Sequence, residues 1–225
     1  MTIGGPLKAV AAGLLLALAP ACGVAAEMTV NAPAPRIDAA SSAKVETAVF
    51  AGGCFWGVEG VFSHVKGVTS VTSGYAGPNR PAVSYEQVST GNTGYAEAVR
   101  VTYDPKIVSY GTLMRVFFSV ITDPTTLNYQ GPDHGTQYRS ALFPLNGEQD
   151  KAARAYLAQL GKSGLWSGPI VTKVEPYRGF QAAEGYHQDF LARNPRHLYI
   201  QKWDAPKVAA LKAGFPALWQ AGASR

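Results

Sequence analysis

One of the two cysteines stands where a thiol could act as a nucleophile. Cys54 follows a short β-prone run at 46–51 and a Gly52-Gly53 break, and it opens a helical apolar pattern. The first turn of a helix presents unbonded N–H groups and partial positive charge, and both favour a thiolate. We therefore expect the pKa of Cys54 to lie below that of a free thiol. A buried, inert cysteine is the alternative, and the local pattern leaves both open.

A carboxyl group is predicted on the buried side of a strand. The run at 96–103 alternates, and Glu97 shares its parity with Val99, Val101 and Tyr103. A core-facing carboxylate is costly unless it is protonated or paired, so burial should raise its pKa toward the pH at which a general acid works. A salt bridge, for instance to an arginine, or plain exposure is the alternative.

Two tyrosines supply candidate hydrogen-bond donors. Tyr85 and Tyr138 fall on predicted strands, at 84–88 and 137–143, that could neighbour Glu97. A phenol donates a hydrogen bond without taking up charge, so two phenols together could hold a polar S–O or C–O oxygen. A half-buried tyrosine with no chemical role is the usual case for a strand.

Two large aromatic residues, Phe55 and Trp56, follow Cys54 directly. One of them can serve the buried face of the predicted helix. Both together could instead wall an apolar pocket beside the thiol. The pattern alone does not separate these two interpretations.

Two histidines offer a different chemistry. His134 follows Asp133 in a long polar loop, and His187 lies in a helix predicted at 179–192. An imidazole next to Cys54 would make the protein a cysteine hydrolase. A solvated or hydrogen-bonded structural histidine is the alternative for both.

The elements that must position these groups alternate along the chain. Strands are predicted at 46–51, 68–75, 84–88, 96–103 and 137–143, and helices from Cys54, from Ser109, and at 147–160, 179–192 and 206–213. No internal repeat is visible. This alternation predicts a single domain with helices layered on a sheet.

Length and composition exclude several classes of protein. The 225 residues are 47% hydrophobic and 16% charged, which suits one mid-sized domain with a short appendage. Two cysteines are too few for a disulfide scaffold, and no Cys/His cluster has the spacing of a zinc site. The net charge of +5 is scattered, so we expect no nucleic-acid partner. A monomer is the default expectation for the oligomeric state.

The N-terminal segment is predicted to lie outside the fold. Residues 1–26 combine Lys8, an apolar stretch and small residues, as is typical of an export signal. Cleavage before Cys22 would leave a lipid-modified N-terminus, whereas cleavage after Ala26 would discard that cysteine. Residues 27–44, rich in Ala, Pro and Ser, are predicted to be a flexible tether. We therefore expect an exported protein that is periplasmic or anchored to a membrane by an N-terminal lipid.

Four segments, in the same order, resemble the A-type peptide methionine sulfoxide reductases. They are GCFWG at 53–57, TGYAEAV at 93–99, the loop at 128–140 and EGYHQ at 184–188. The resemblance implies an α+β fold, a two-layer α/β sandwich around a mixed sheet with a ferredoxin-like core. It makes 45–225 the catalytic domain. It also implies reduction of the S epimer of methionine sulfoxide, free or in proteins, with no metal or organic cofactor.

The resemblance also implies roles for single residues. Cys54 matches the nucleophile, which would pass through a sulfenic acid, and Glu97 matches the proton donor. Tyr85 and Tyr138 match the phenols that bind the substrate oxygen, and Asp133 matches a polar residue of the same site. Phe55 and Trp56 match the pocket that binds the methyl group of the substrate, and Tyr186 is a further member of this substrate-binding pocket.

The chain departs from the family pattern at three places. Tyr95 stands where histidine is usual, Pro78 stands where a second glycine is common, and no cysteine follows Cys54. Many relatives carry a resolving cysteine near the C-terminus. Because this chain has none there, we expect an external thiol, either a thioredoxin-like protein or a small thiol, to regenerate Cys54.

Other functions stay open on the sequence alone. Besides a cysteine hydrolase, Cys54 would suit a thiol peroxidase, which consumes peroxide rather than a sulfoxide. An exported ligand-binding lipoprotein with an inert Cys54 is the non-enzymatic alternative. A disulfide oxidoreductase is disfavoured because the chain contains no C-x-x-C motif.

Overall fold

The computed structural model of the protein describes residues 1–2, 29–78 and 83–222. Cys22 and the apolar stretch of the predicted export signal lie outside the described residues. In the described part of the chain, no helix is both long and apolar enough to cross a membrane.

The secondary structure consists of eight strands and six helices in the described ranges. The strands are β1 Glu46–Gly52, β2 Val68–Ala76, β3 Ala96–Tyr103, β4 Tyr129–Gln130, β5 Asp133–His134, β6 Ser140–Leu142, β7 Lys173–Val174 and β8 Phe180–Ala182. The helices are α1 Phe55–Ser63, α2 Tyr85–Ser89, α3 Tyr110–Val116, α4 Gly147–Leu160, α5 Phe190–Arg193 and α6 Ala205–Gly214. Short turns at Phe117–Ile121 and Ile200–Asp204 are π-helical, and Thr136–Tyr138 forms a 3₁₀ turn.

Six of the strands form one mixed sheet in the order β7-β6-β1-β3-β2-β8. Neighbouring strands are antiparallel except for β6 and β7, which run parallel. The chain order β1-α1-β2-β3-α3-β6, with the spatial order β6-β1-β3-β2, is the split βαβ arrangement of a ferredoxin-like core. The predicted α+β class, with its mixed sheet, is therefore confirmed.

The main core lies between the sheet and its helices. The ring of Phe50 on β1 lies 5.1 Å from that of Phe62 on α1, and 5.8 and 5.4 Å from Tyr110 and Phe117. All four side chains are almost fully buried. The opposite face of the sheet carries mainly small residues, which pack in a second, smaller cluster: Val49, Ala51, Ala76, Ala96, Ala98, Ala141 and Phe143.

A glycine makes the turn from β1 into α1 possible. Gly53 has a φ of +91°, and a Cβ added there would lie 2.6 Å from the Cβ of Gln130. A side chain is excluded by both the backbone conformation and the close approach of the β4 strand. Cys54 follows as the N-cap residue of α1, as the sequence pattern predicted.

The strand predicted at 84–88 is wrong. The segment is the helix α2, and Ser84 caps it: its hydroxyl accepts the backbone N–H of Gln87, whose side chain accepts the N–H of Ser84. This reciprocal capping box satisfies two otherwise unbonded N–H groups. Tyr85 therefore lies in the first turn of a helix and not on a strand.

The helix predicted at 179–192 is also largely wrong, because only β8 and the short α5 are regular there. The side-chain amide of Gln188 donates to the carbonyl oxygens of Ser73 and Ala183 at 3.0 and 2.9 Å. Its carbonyl oxygen accepts the N–H of Ser73 at 3.0 Å. These bonds hold the segment against β2 in an irregular conformation that a continuous helix could not adopt.

The segment at 27–44 is predicted to be a flexible tether, but its described residues pack against the domain. Ala32 is fully buried, and its N–H donates to the hydroxyl of Ser119 at 3.1 Å. Further along, the carboxylate of Asp38 accepts the hydroxyl of Ser109 and the N–H of Gly111. The segment has no helix or strand, but its backbone and side chains pack against the domain from residue 30 onward.

We predict that Asp38→Ala lowers the free energy of unfolding by about 1 kcal/mol, because the N-terminus of α3 loses a charged acceptor. Urea unfolding of the full chain checks this. Asp150→Ala is the matched control: that carboxylate also lies in the first turn of a helix but sits at the surface and pairs with Arg154 on the same helix, so its loss should cost only about 0.3 kcal/mol. Equal stability of the Asp38 variant and the wild type would show that the segment does not stabilise the fold.

Candidate active site

Three carboxyl groups surround the thiol of Cys54. The side chain is partly buried at the N-terminus of α1. The charges that act on it come from Glu97 on β3, Asp133 on β5 and Asp204 in the second π-helical turn. The fold thus brings together residues from distant parts of the chain around one sulfur atom.

Glu97 is buried, as its strand parity predicted. Its side chain is 2% exposed, and one carboxyl oxygen accepts the backbone N–H of Phe55 at 3.0 Å. Burial, together with the charges of Asp133 and Asp204, raises the pKa of Glu97 to about 8 against the opposing effect of the hydrogen bond from the Phe55 N–H. Glu97 therefore holds its proton at neutral pH and loses it as the pH rises through about 8.

The expected low pKa of Cys54 is wrong for the free protein. Burial raises the pKa of Cys54 well above its usual value, and the carboxyl groups of Glu97, Asp204 and Asp133 act in the same direction. A hydrogen bond involving the Trp56 backbone acts in the opposite direction but does not compensate. One N–H group of the helix N-terminus donates to Glu97. The hydrogen bond that remains for the sulfur does not offset burial and the carboxyl charges, so the thiol keeps its proton.

The two predicted phenols flank this carboxyl–thiol pair. Burial raises the pKa of both Tyr85 and Tyr138, and the charges of Glu97 and Cys54 raise it further. Both are therefore neutral donors at any working pH. Tyr138 is half-buried at the end of the 3₁₀ turn before β6 and not within the strand that the sequence predicted.

Asp133 lies in the site with a partner that the sequence analysis missed. The hydroxyl of Tyr199 donates to a carboxyl oxygen of Asp133. Burial raises the pKa of Asp133, whereas this hydrogen bond and the charge of Lys207 lower it. Tyr199 precedes the second π-helical turn, where no periodic pattern marked the sequence.

Asp204 is the second residue that the sequence analysis missed. It is fully buried, and its carboxyl group packs against Gly57 in the first turn of α1. A Cβ added at Gly57 would lie 2.2 Å from a carboxyl oxygen of Asp204, so only glycine fits there. Packing against Asp204 thus explains the second glycine of the GCFWG segment. In the sequence, Gly57 is the sign that another group packs closely against the first turn of α1.

The two aromatic residues after Cys54 have different environments. Phe55 is 1% exposed and packs on Tyr75, with ring centres 6.0 Å apart. Trp56 is only partly buried and stacks on Phe190, with ring centres 3.7 Å apart and planes within 9°. Phe55 therefore belongs to the core as well as to the site, while Trp56 presents part of its surface to solvent.

Tyr186 is the most exposed of the predicted substrate-binding residues. Its side chain is 54% exposed, and its ring centre lies 4.2 Å from that of His187. It therefore lies at the outer side of the aromatic group formed by Phe55, Trp56 and His187.

Neither candidate histidine is placed as a base for Cys54. His134 is exposed and stacks on Tyr129, with ring centres 5.1 Å apart. His187 accepts a hydrogen bond from Trp56. The groups that shift the pKa of Cys54 are carboxyls and a backbone hydrogen bond. This arrangement lacks the Cys–His pair of a cysteine hydrolase.

No metal centre is evident in the described ranges. Within them, no group of three or more His, Cys, Asp or Glu side chains is arranged to hold a metal ion. The three carboxyls near Cys54 instead act on each other and on the thiol through their charges.

A sequence model of the family described as peptide methionine sulfoxide reductase matches residues 46–216. The chain belongs to this family. The match covers the sheet, the helices and every site residue named above, and the relatives that follow are of the A type.

Similar proteins are named after the same activity. Peptide methionine sulfoxide reductase MsrA 2 of Mesorhizobium japonicum is 56% identical over 174 residues, which cover 77% of this chain and 89% of that protein. MsrA of Deinococcus radiodurans is 50% identical, covering 74% and 81% of the two chains. Among solved structures, methionine sulfoxide reductase A of Corynebacterium diphtheriae is 30% identical with a TM-score of 0.60, covering 76% and 90%.

The family settles the class of chemistry. This peptide methionine sulfoxide reductase is a thiol-dependent oxidoreductase that reduces methionine sulfoxide, and the family uses thiol reductants and no prosthetic group. The hydrolase, peroxidase and non-enzymatic alternatives are therefore set aside.

We predict that iodoacetamide alkylates Cys54 slowly at pH 7, with a rate that still rises above pH 9, in the full chain carrying Cys22→Ser. Removal of a nearby negative charge by Glu97→Gln or Asp204→Asn should move this profile about one unit or more toward lower pH. The exposed Glu148→Gln is the control and should leave it in place. A wild-type plateau below pH 7 would contradict this view of the site.

Proposed function

We propose that this protein reduces methionine S-sulfoxide, free or in proteins, with Cys54 as nucleophile and Glu97 as proton donor. The observation that supports these roles is the buried carboxyl of Glu97, which is protonated at neutral pH and bonded to the residue next to Cys54. A general acid needs a pKa near the working pH, and burial supplies it here.

In the first step, the Cys54 thiolate attacks the sulfoxide sulfur. An S–S bond forms while the S–O π electrons move to oxygen, and the proton of Glu97 passes to that oxygen. Tyr85 and Tyr138 donate hydrogen bonds to the same oxygen and so stabilise its growing charge. Glu97 is left as a carboxylate.

In the second step, the hydroxyl group moves to the Cys54 sulfur as the S–S bond breaks. Methionine leaves with its sulfur reduced by two electrons, and Cys54 becomes a sulfenic acid, oxidised by two electrons. No further redox partner takes part in this half of the cycle.

Activation of the thiol follows from the shared electrostatics of the site. Cys54 and Glu97 lie in one desolvated space and titrate as a coupled pair. The reactive form has the thiolate beside the protonated carboxyl, and the thiol proton leaves to solvent water, which the partial exposure of Cys54 admits. The partial positive charge on a bound sulfoxide sulfur favours that form, because it offsets the carboxyl charges that keep the free thiol protonated.

An external thiol completes the cycle. It attacks the sulfenic acid, which forms a mixed disulfide with Cys54 and releases water. A second thiol then attacks the reductant sulfur of that mixed disulfide, so that the Cys54 thiol is released and the reductant leaves as a disulfide. We assign this role to a thioredoxin-like protein or a small thiol because no cysteine follows Cys54 in the sequence. The partial exposure of Cys54 leaves a path for it.

The decisive experiment incubates the full chain with peptides carrying one or the other epimer of methionine sulfoxide, plus dithiothreitol. We expect the S-sulfoxide peptide to lose about 16 mass units, one oxygen, and the R-sulfoxide peptide to stay unchanged. Cys54→Ser should abolish the loss, and Cys22→Ser should retain it. Turnover by the Cys54 variant would contradict the nucleophile assignment.

Glu97→Gln tests the proposed role of Glu97 as proton donor. The amide keeps the shape and the acceptor for the Phe55 N–H, but it has no proton to transfer in the reaction. We expect kcat to fall by about 10²–10⁴-fold, the usual contribution of general acid catalysis. An unchanged kcat would remove Glu97 from the mechanism.

We also propose that the protein is exported and repairs oxidised exported proteins. The support is the pattern of residues 1–26, with Lys8, an apolar stretch and small residues around Cys22. Expression of the full chain followed by fractionation and radiolabelled palmitate should give an exported protein, with labelling that depends on Cys22 if the lipoprotein cut is used. Retention of the chain in the cytoplasm would contradict export.

A further inference from the structure

A buried histidine connects the residues of the substrate pocket. His187 is 2% exposed, and its Nδ1 accepts the indole N–H of Trp56 at 3.1 Å. An imidazole nitrogen can accept only when it carries no proton, so the ring is neutral with its hydrogen on Nε2.

The same imidazole packs against three further rings from three parts of the chain. Its centre lies 5.0 Å from that of Phe55, 4.4 Å from that of Tyr85 and 4.2 Å from that of Tyr186. His187 thus touches each residue proposed for substrate binding and one of the phenols proposed to bind the sulfoxide oxygen.

Packing alone does not explain why an imidazole stands at position 187. The Nε2 atom of His187 is buried and has no hydrogen-bond partner among the described residues. A buried unpartnered N–H costs free energy that a phenylalanine of similar shape would avoid. The acceptor at Nδ1 is the feature that a phenylalanine would not supply.

We propose that His187 is a positioning residue for sulfoxide reduction: its Nδ1 fixes the indole of Trp56 as a wall of the pocket that receives the substrate methyl group. This inference rests on the proposed role of Trp56 in substrate binding. The imidazole does not touch the reacting atoms; it acts through Trp56, whose other face stacks on Phe190.

Protonation of His187 would abolish this contact, because Nδ1 would then carry a hydrogen facing the indole N–H. Burial lowers the pKa of His187, while the charges of Glu184 and Glu86 oppose that effect. The other titratable groups packed on the ring, Tyr85 and Tyr186, stay neutral. The neutral form of His187 therefore prevails at pH 7. The hydrogen bond that fixes Trp56 is lost only as the pH falls below the usual pKa of a histidine.

Two variants separate the acceptor from the ring. His187→Phe keeps an aromatic ring and removes the acceptor, whereas His187→Asn places an amide oxygen near the position of Nδ1. For the full chain with a methionine S-sulfoxide peptide, we expect His187→Phe to raise KM about 10-fold, the loss of roughly one hydrogen bond, with kcat within about 2-fold. His187→Asn should restore most of KM.

A double-mutant cycle tests whether the effect passes through Trp56. In a Trp56→Phe background, which has no indole N–H, His187→Phe should not raise KM further. Equal losses in kcat and KM, no rescue by asparagine, or an undiminished effect in the Trp56→Phe background would each overturn the proposal.

A measurement without turnover separates this inference from the proposed function. In nitrogen-15 spectra of the full chain, the indole N–H resonance of Trp56 should shift in His187→Phe and should titrate at acid pH in the wild type. If the wild type reduced no sulfoxide, the proposed function would fail whatever the resonance did. A resonance that shifts neither in the variant nor at acid pH would overturn the positioning role alone. If His187→Phe does not fold, the pH titration of the wild type still tests the proposal.

Discussion

The site depends on one hydrogen bond between a buried carboxyl and the start of a helix. Glu97 accepts the N–H of Phe55 at 3.0 Å, one residue after Cys54, the proposed nucleophile. This bond fixes the carboxyl beside Cys54 and takes up one of the N–H groups at the helix terminus that would otherwise stabilise a thiolate. Because burial favours the protonated form of both groups, the free enzyme holds a neutral thiol next to the carboxyl that we propose as its proton donor. A neutral thiol is protected from casual oxidation, since the thiolate is the form that reacts.

The ferredoxin-like core explains why this bond can form. Strand β3 lies between β1 and β2 in the sheet, and β1 leads into α1, so the N-terminus of that helix meets the end of the central strand. Three close approaches then tighten the corner: Gly53 against Gln130, Gly57 against Asp204, and Glu97 against Phe55. Each requires a small residue or a buried polar group at one position, which accounts for the glycines that flank the cysteine.

The sequence predicted those parts of the site that lie on regular elements. Strand parity placed Glu97 on the core side, and the strand–glycine–helix pattern placed Cys54 at a helix terminus, because both features depend on local periodicity. Tyr199 and Asp204 were missed because they reach the site only through the long-range packing of the C-terminal segment. Tyr85 was assigned to a strand although Ser84 and Gln87 form a capping box, a local signal that could have been recognised. The pKa of Cys54 was misjudged because the helix terminus is local, whereas the carboxyls around it are brought together by the fold.

The described C-terminal segment helps to build the site. The described part after residue 198 places Tyr199 on Asp133 and Asp204 on Gly57, and it buries Leu211 on α6. Further on, Trp219 forms an isolated β-bridge with Val65, two residues after the end of α1. A segment held at so many points cannot swing a side chain to Cys54 without breaking the site that it completes. Regeneration by an external thiol is therefore consistent with the packing as well as with the missing cysteine, and the exposed side of the site, toward Tyr186, is the side from which such a thiol can approach.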